Sequence, residues 1–291
     1  MHISSYSTAG FVDRDVRRAL EAIAEAGFPQ VEILGQAPHV TAPPGEQDTR
    51  EIRRVLDSLG FSGLTVHAPL GVHVLGATGE QWRRRTVSIF ATFLRFTAAI
   101  GGSALVIHPV PNPRFVPDAD APDIVQRIGE AVGRSLDDLV PVAEDEGVRI
   151  LLENLPYDCP YPLLDVGALR PLVDAYPEKA LALVVDTGHA WTRKRDPASE
   201  ILTAGARLGG LHLQDVDGAN PQDNHWLPTH GDLDWRAIRD ALARVGYGGP
   251  WTFEVIRPRR GETPEALAAA CRQIARTWES EESEAVAVPA K

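Results

Sequence analysis

The sequence predicts an α/β protein, a single (β/α)8 TIM barrel, on three observations. Short β-type runs alternate with longer amphipathic runs eight times from one end to the other. Several of the short runs are continuously apolar, such as Leu105-Val106-Ile107, Ile150-Leu151-Leu152 and Leu183-Val184-Val185. Parallel strands covered by helices have this character, because both faces are buried. No GxGxxG or GxxxxGK[ST] follows the first strand, which argues against an open doubly wound sheet.

The β-type runs fall at 2–5, 31–34, 64–68, 104–108, 149–153, 181–186, 210–214 and 251–254. Helical periodicity occupies 13–26, 48–59, 80–100, 123–146, 165–175, 197–206, 235–245 and 263–278. Asp13, Asp48 and Thr263 sit where N-caps belong, and Pro264 suits a first helical turn. Gly27, Gly60, Gly147 and Gly246 each follow a helical run, where a left-handed residue is expected. The domain predicted is residues 1–278, followed by a disordered acidic tail, 279–291. Connections at 109–122, 154–164 and 215–234 are long enough to be functional barrel loops.

Composition limits function. The 291 residues include 29 basic and 40 acidic side chains, a net charge of −11, and 44% are hydrophobic. One barrel of roughly 250 residues accounts for that length. The acidic balance repels phosphate backbones, so a nucleic acid is not the expected partner. No run approaches the roughly 20 apolar residues of a membrane span, so no membrane is expected either. Residues 1–10 lack the features of a signal peptide, and Cys159 and Cys271 form no CxxC pair, so the cytoplasm is the expected compartment. Homo-oligomer formation is left open.

The chemistry lies at the strand ends. His67 closes LTVHAP, His108 ALVIHP, Glu153 ILLEN and Asp186 LVVDTGH; His212 follows in GLHLQD and Glu254 in WTFEV. His, Asp and Glu fill 49 of 291 positions. Six of eight strand ends by chance is then on the order of one in a thousand. A single buried histidine is usually satisfied by a carbonyl. Six imidazoles and carboxylates converging on one barrel rim need something to neutralise them, and a divalent cation does so directly. His189 in DTGH, and Asp223 and His225 in QDNHWLP, are further ligand types beside them. Asp215 is placed to orient His212 or to line the pocket. Glu32, on the second strand, is given little weight.

The motif order VHAP, VIHP, LEN, VDTGH, HLQD, DNH and FEV resembles the xylose isomerase-like TIM barrels. That group includes sugar and sugar phosphate isomerases and epimerases, and the endonuclease IV family of AP endonucleases. The endonuclease IV pattern implies three metals, normally zinc. His67, His108 and Glu153 would hold one; Glu153, Asp186, His212 and Glu254 a second; His189, Asp223 and His225 a third. The isomerase branch implies one divalent ion, often manganese, on Glu153, Asp186, His212 and Glu254, with His189 facing substrate. One departure is the stretch Thr229-His230-Gly231-Asp232-Leu233-Asp234-Trp235, where a Gly-Glu-Gly-like turn before Asp-Trp is usual.

The resemblance and the charge together imply a metal-dependent sugar or sugar phosphate isomerase or epimerase working through an enediolate. Glu153 and Glu254 would move the proton. His189, Arg257 and Trp226 would contact substrate, and Arg257, Arg259 and Arg260 lie where barrels often bind phosphate. Three alternatives stay open. They are a dehydratase of a keto-polyol, a three-zinc phosphodiesterase acting on abasic DNA, and a non-catalytic barrel that binds a sugar or a protein.

Overall fold

Eight parallel strands close in chain order: β1 (Ile3–Ser7), β2 (Gln30–Leu34), β3 (Gly63–His67), β4 (Ala104–Ile107), β5 (Arg149–Glu153), β6 (Leu181–Asp186), β7 (Leu208–Leu213) and β8 (Pro250–Phe253). The last pairs back onto the first, with Ser5 beside Thr252. This is a computed structural model, and it describes residues 3–287. The helices are α1 (Val16–Glu25), α2 (Glu46–Leu59), α3 (Glu80–Ala99), α4 (Ile124–Glu146), α5 (Val166–Asp174), α6 (Thr187–Thr192), α7 (Pro197–Ala204), α8 (Trp235–Val245) and α9 (Pro264–Ala287). The expected barrel is therefore the observed one.

Apolar side chains sort into two layers. The larger fills the space between barrel and helices, with Phe11, Phe90, Phe93 and Phe253 fully buried there. The smaller plugs the barrel interior with Ala104, Val106, Leu151, Ala182 and Val184. Glycines make room for that plug. A Cβ on Gly209 would lie 2.7 Å from the Leu151 side chain and 2.8 Å from Ala182. For this reason β7 starts at Leu208, two residues before the first position that its sequence suggests.

Other boundaries shift for local reasons. The first strand was expected over 2–5; His2 lies outside the described residues. It runs on to Ser7, whose side chain accepts from the Ala9 N–H and so caps the short 3-10 turn Thr8–Phe11. Asp15, not Asp13, caps α1 by accepting from the Arg18 N–H at 3.0 Å. Gly45 is the cap residue of α2, and Asp48 reaches back from the third helical position to accept its N–H at 3.1 Å. Thr263 caps the last helix as expected, at 3.2 Å from the Ala266 nitrogen. Gly27, Gly60, Gly147 and Gly246 all have positive φ.

The last helix continues past Trp278 to Ala287, so part of the stretch expected as a disordered tail is helical. The rest of that stretch, 288–291, lies outside the described residues. Trp278 stacks at 5.4 Å on Trp235, with Trp251 at 6.0 Å and Phe253 at 5.9 Å, which ties this helix to α8 and to the closing strand. Among the described residues no helix is long and apolar enough to cross a membrane.

Candidate metal centre

Parallel closure brings the strand ends to one rim. His67, Glu153 and Asp186 end their strands, His212 is next to last in β7, and His108 and Glu254 come one residue past theirs. Together with His189, Asp223 and His225 they form overlapping donor groups. In each of the sets Glu153/Asp186/His212/Glu254, His67/His108/Glu153 and His189/Asp223/His225, the ligand atoms lie within 4.8 Å of one another. All nine predicted donors are therefore brought together. Glu153 joins two sets. Its Oε2 is 3.2 Å from His67 Nε2 and 3.1 Å from His108 Nε2, and its Oε1 is 2.8 Å from His212 Nδ1. Asp223 Oδ1 lies 2.9 Å from His225 Nε2 and 3.3 Å from His189 Nε2.

Ring orientation tests whether this set suits a cation. Nδ1 of His67 is 2.7 Å from the Ala68 carbonyl, that of His189 2.9 Å from the Asn154 carbonyl, and that of His225 3.0 Å from the Glu254 carbonyl. A carbonyl only accepts, so each Nδ1 carries the hydrogen. Each Nε2 then turns a lone pair toward a carboxylate oxygen, an arrangement that needs a proton or a metal ion between them. Metal-bound histidines are held from behind in this way. Glu153, Asp186 and Glu254 are 0%, 0% and 6% exposed, and clustered buried carboxylates demand positive charge. Mixed carboxylate and imidazole donors suit a divalent ion such as manganese or zinc.

The carboxyl groups divide. Burial raises Glu153, but attraction from His212, His108 and His67 outweighs it and leaves it well below the usual range. Burial also raises Glu254, and there the opposing pull of His212 and His225 is too small to cancel it. Burial lowers His225, yet Asp223 overcomes it and carries the ring up to about 9. A histidine raised above its unfolded value of ~6.5 stabilises the fold fully below that pH. The contribution is lost as pH climbs through the folded value. With a chelator present, stability should therefore drop by about 3 kcal/mol between pH 6.5 and 9. Calorimetric melting across that range checks this, and a flat profile refutes it. Added divalent ion should reverse the slope, because the ion displaces the same proton.

Among residues predicted to touch substrate, His189 is 4% exposed inside the donor cluster. Arg257 donates from Nη1 to the Asp223 carbonyl at 2.8 Å, at the edge of the cluster. The Trp226 ring faces the Arg259 guanidinium at 4.3 Å, and its backbone pairs with Asp215. Asp215 does not orient His212. Its carboxylate instead accepts from the backbone N–H groups of Val216, Thr229 and Leu233 and from the Trp235 indole N–H, at 2.9, 2.9, 3.2 and 2.8 Å. It is the anchor of the long loop after β7, the loop that carries Asp223 and His225.

Two buried residues at the centre were missed or undervalued in the sequence. Glu32 lies 3.1 Å from His212 Nε2. Gln214 is fully buried and donates from Nε2 to Asp186 Oδ1 and Oδ2 at 3.1 and 3.2 Å and to Asp223 Oδ1 at 3.2 Å. Its Oε1 accepts the His225 N–H at 2.8 Å, which pins His225 in the left-handed region at φ 50°. Nothing about a glutamine in HLQD distinguishes it from a solvated one. Gly188 leaves the space for it: a Cβ there would sit 2.4 Å from Gln214 Cδ and Oε1. Gly188→Ala should lower stability by about 1–3 kcal/mol, read as the urea midpoint, since a held amide must move.

Fold and site thus define a (β/α)8 barrel with a histidine–carboxylate donor centre at its C-terminal mouth. The chain belongs to the xylose isomerase-like TIM barrel family, whose model matches residues 20–277. It is 25% identical over 257 residues to fructoselysine 3-epimerase of Escherichia coli O157:H7, covering 86% of this chain and 88% of that one. It is 23% identical over 249 residues to D-psicose 3-epimerase of Ruminiclostridium cellulolyticum, covering 83% and 78%. In fold it is similar to the crystal structure of a D-tagatose 3-epimerase-like protein, with a TM-score of 0.82 at 22% identity over 99% of this chain and 100% of that one.

Proposed function

We propose that this protein is a metal-dependent sugar epimerase or isomerase acting on a ketose. The observation that carries the reading is the pair Glu153 and Glu254. These two buried carboxyl groups come from opposite sides of the barrel mouth, β5 and the end of β8, and lie 2.8 and 3.4 Å from the same His212 Nδ1. Two carboxyl groups approaching one point from different strands can serve as a proton acceptor on one face of a substrate and a proton donor on the other. The 3-epimerases among its relatives, matched over more than four-fifths of this chain, support the same chemistry.

A divalent ion on Glu153, Asp186, His212 and Glu254 would supply Lewis acidity, making the C–H beside a ketone more acidic and favouring the enediolate. Either carboxylate removes that proton. Return by the other glutamate to the opposite face inverts the carbon, and return to the neighbouring carbon isomerises the sugar. His189, Arg257 and Trp226 orient the hydroxyls. Loss of a β-hydroxyl from the same intermediate would make the enzyme a dehydratase.

The test is uptake of solvent deuterium into a panel of ketoses that includes D-psicose, D-tagatose and fructoselysine. Uptake at the carbon beside the carbonyl, dependent on a divalent ion and lost in Glu254→Gln, is the expected result. No uptake into any of them refutes the proposal. One observation favours a second reading, a three-metal phosphodiesterase: the sets His67/His108/Glu153 and His189/Asp223/His225. Three tightly bound zinc ions per chain, with nicking of abasic duplex DNA, would establish it. One ion per chain favours the epimerase.

A further inference from the structure

An inward-facing histidine is steadied by an acceptor behind it, and His212 differs from His67, His189 and His225 in what that acceptor is. His67, His189 and His225 use neutral backbone carbonyls on Nδ1 and turn Nε2 inward. His212 is reversed. Its Nδ1 faces Glu153 at 2.8 Å, and its Nε2 faces the Glu32 carboxylate at 3.1 Å. Glu32 comes from β2 and His212 from β7, so this contact spans the barrel beneath the donor cluster. Both side chains are almost wholly buried, at 2% and 1% exposed. Glu32 Oε2 accepts the Thr65 hydroxyl at 3.0 Å from β3. Among the described residues, Glu32 Oε1 and His212 Nε2 are buried without a hydrogen bond, and each faces the other at 3.1 Å.

A carboxylate in that position does two things that a carbonyl cannot. It fixes the hydrogen on Nε2 with a full negative charge, so the lone pair on Nδ1 must point into the donor set. It also raises the electron density of the ring and strengthens the ligand. Among the described residues Glu32 has no arginine or lysine partner; the Thr65 hydroxyl bonds it, and the His212 and His67 rings supply what positive charge it sees. An isolated buried carboxylate is costly, and the positive charge that compensates it lies beyond the imidazole.

We propose that Glu32 is a positioning residue for the metal centre, setting the tautomer and ligand strength of His212. The inference rests on the metal reading of the site, and its test separates the two. Glu32→Gln keeps the shape and removes the charge. Manganese binding to the full-length protein, followed by isothermal calorimetry, should weaken roughly 10–100-fold. Cobalt binding should show an altered visible absorption band, which reports the ligand field directly. The melting temperature in chelator should stay the same or rise, because a buried charge has gone. Thr65→Val, which loosens Glu32 while keeping its charge, should weaken binding in the same direction by a smaller factor. It carries the test if the Glu32 variant does not fold. Unchanged manganese affinity in both variants overturns the proposal and leaves the metal reading intact. Failure of the wild-type protein to bind manganese, cobalt or zinc overturns both.

Discussion

Replacing Glu153 by Gln should lower deuterium uptake into the substrate ketose by about 10⁴-fold. Two losses combine. General base or acid catalysis by one positioned carboxyl is worth about 10²–10⁴ on its own. Glu153 also holds the donor cluster together, since His67, His108 and His212 all converge on its two oxygens. An amide of the same shape supplies one acceptor instead of two and turns an NH2 toward rings that have lone pairs facing it. Ion affinity should therefore fall in the same variant, as calorimetry with manganese would record. Circular dichroism should show the barrel intact, because the strand pairing Leu152–Leu183 and Glu153–Val184 is carried by the backbone. Retention of more than a tenth of the wild-type exchange rate would exclude Glu153 from the proton path.

Asp215→Ala should be the largest single loss of stability, about 4 kcal/mol. Four donors meet one fully buried carboxylate, and each hydrogen bond to a charged acceptor is worth about 1.5–3 kcal/mol. Truncation leaves three backbone N–H groups and an indole N–H without an acceptor in a dry interior. For a chain of this size the melting temperature should drop by roughly 10 °C. The effect should reach the site as well. The anchored loop runs from β7 to α8 and carries Asp223 and His225, so the variant should also lose the pH dependence of melting described above. Asp215→Asn should recover part of the stability, since its oxygen still accepts. A melting temperature within two or three degrees of wild type in the alanine variant would refute the anchoring role.

Strand ends were legible because apolar runs such as ALVI and LVVD stop abruptly on a charged or imidazole residue. That break survives without knowledge of the partners. The closed barrel followed from eight such runs spaced by helices. Boundaries were less legible where small residues replace branched ones. The end of β1 was missed because Tyr6 and Ser7 run straight into a turn that Ser7 caps, and Gly209 looks like a turn until the Leu151 and Ala182 side chains it accommodates are known. The short helix α6 leaves no periodic trace in six residues. Glu32, Gln214 and Asp215 were the hardest. Each gains its role from atoms far along the chain, in contacts to His212, Asp186 and the Trp235 indole, and no local pattern separates them from solvated acids and amides.

The circular order of the strands has a consequence for how the protein matures. On the ribosome the donors emerge as 67, 108, 153, 186, 189, 212, 223, 225 and 254, while the first strand waits for the eighth to close the ring. Any ion captured early meets an incomplete chelate, with Glu254 still unmade. On the proposed metal reading, the complete donor set is therefore a property of the finished cylinder alone, assembled only when β8 closes on β1.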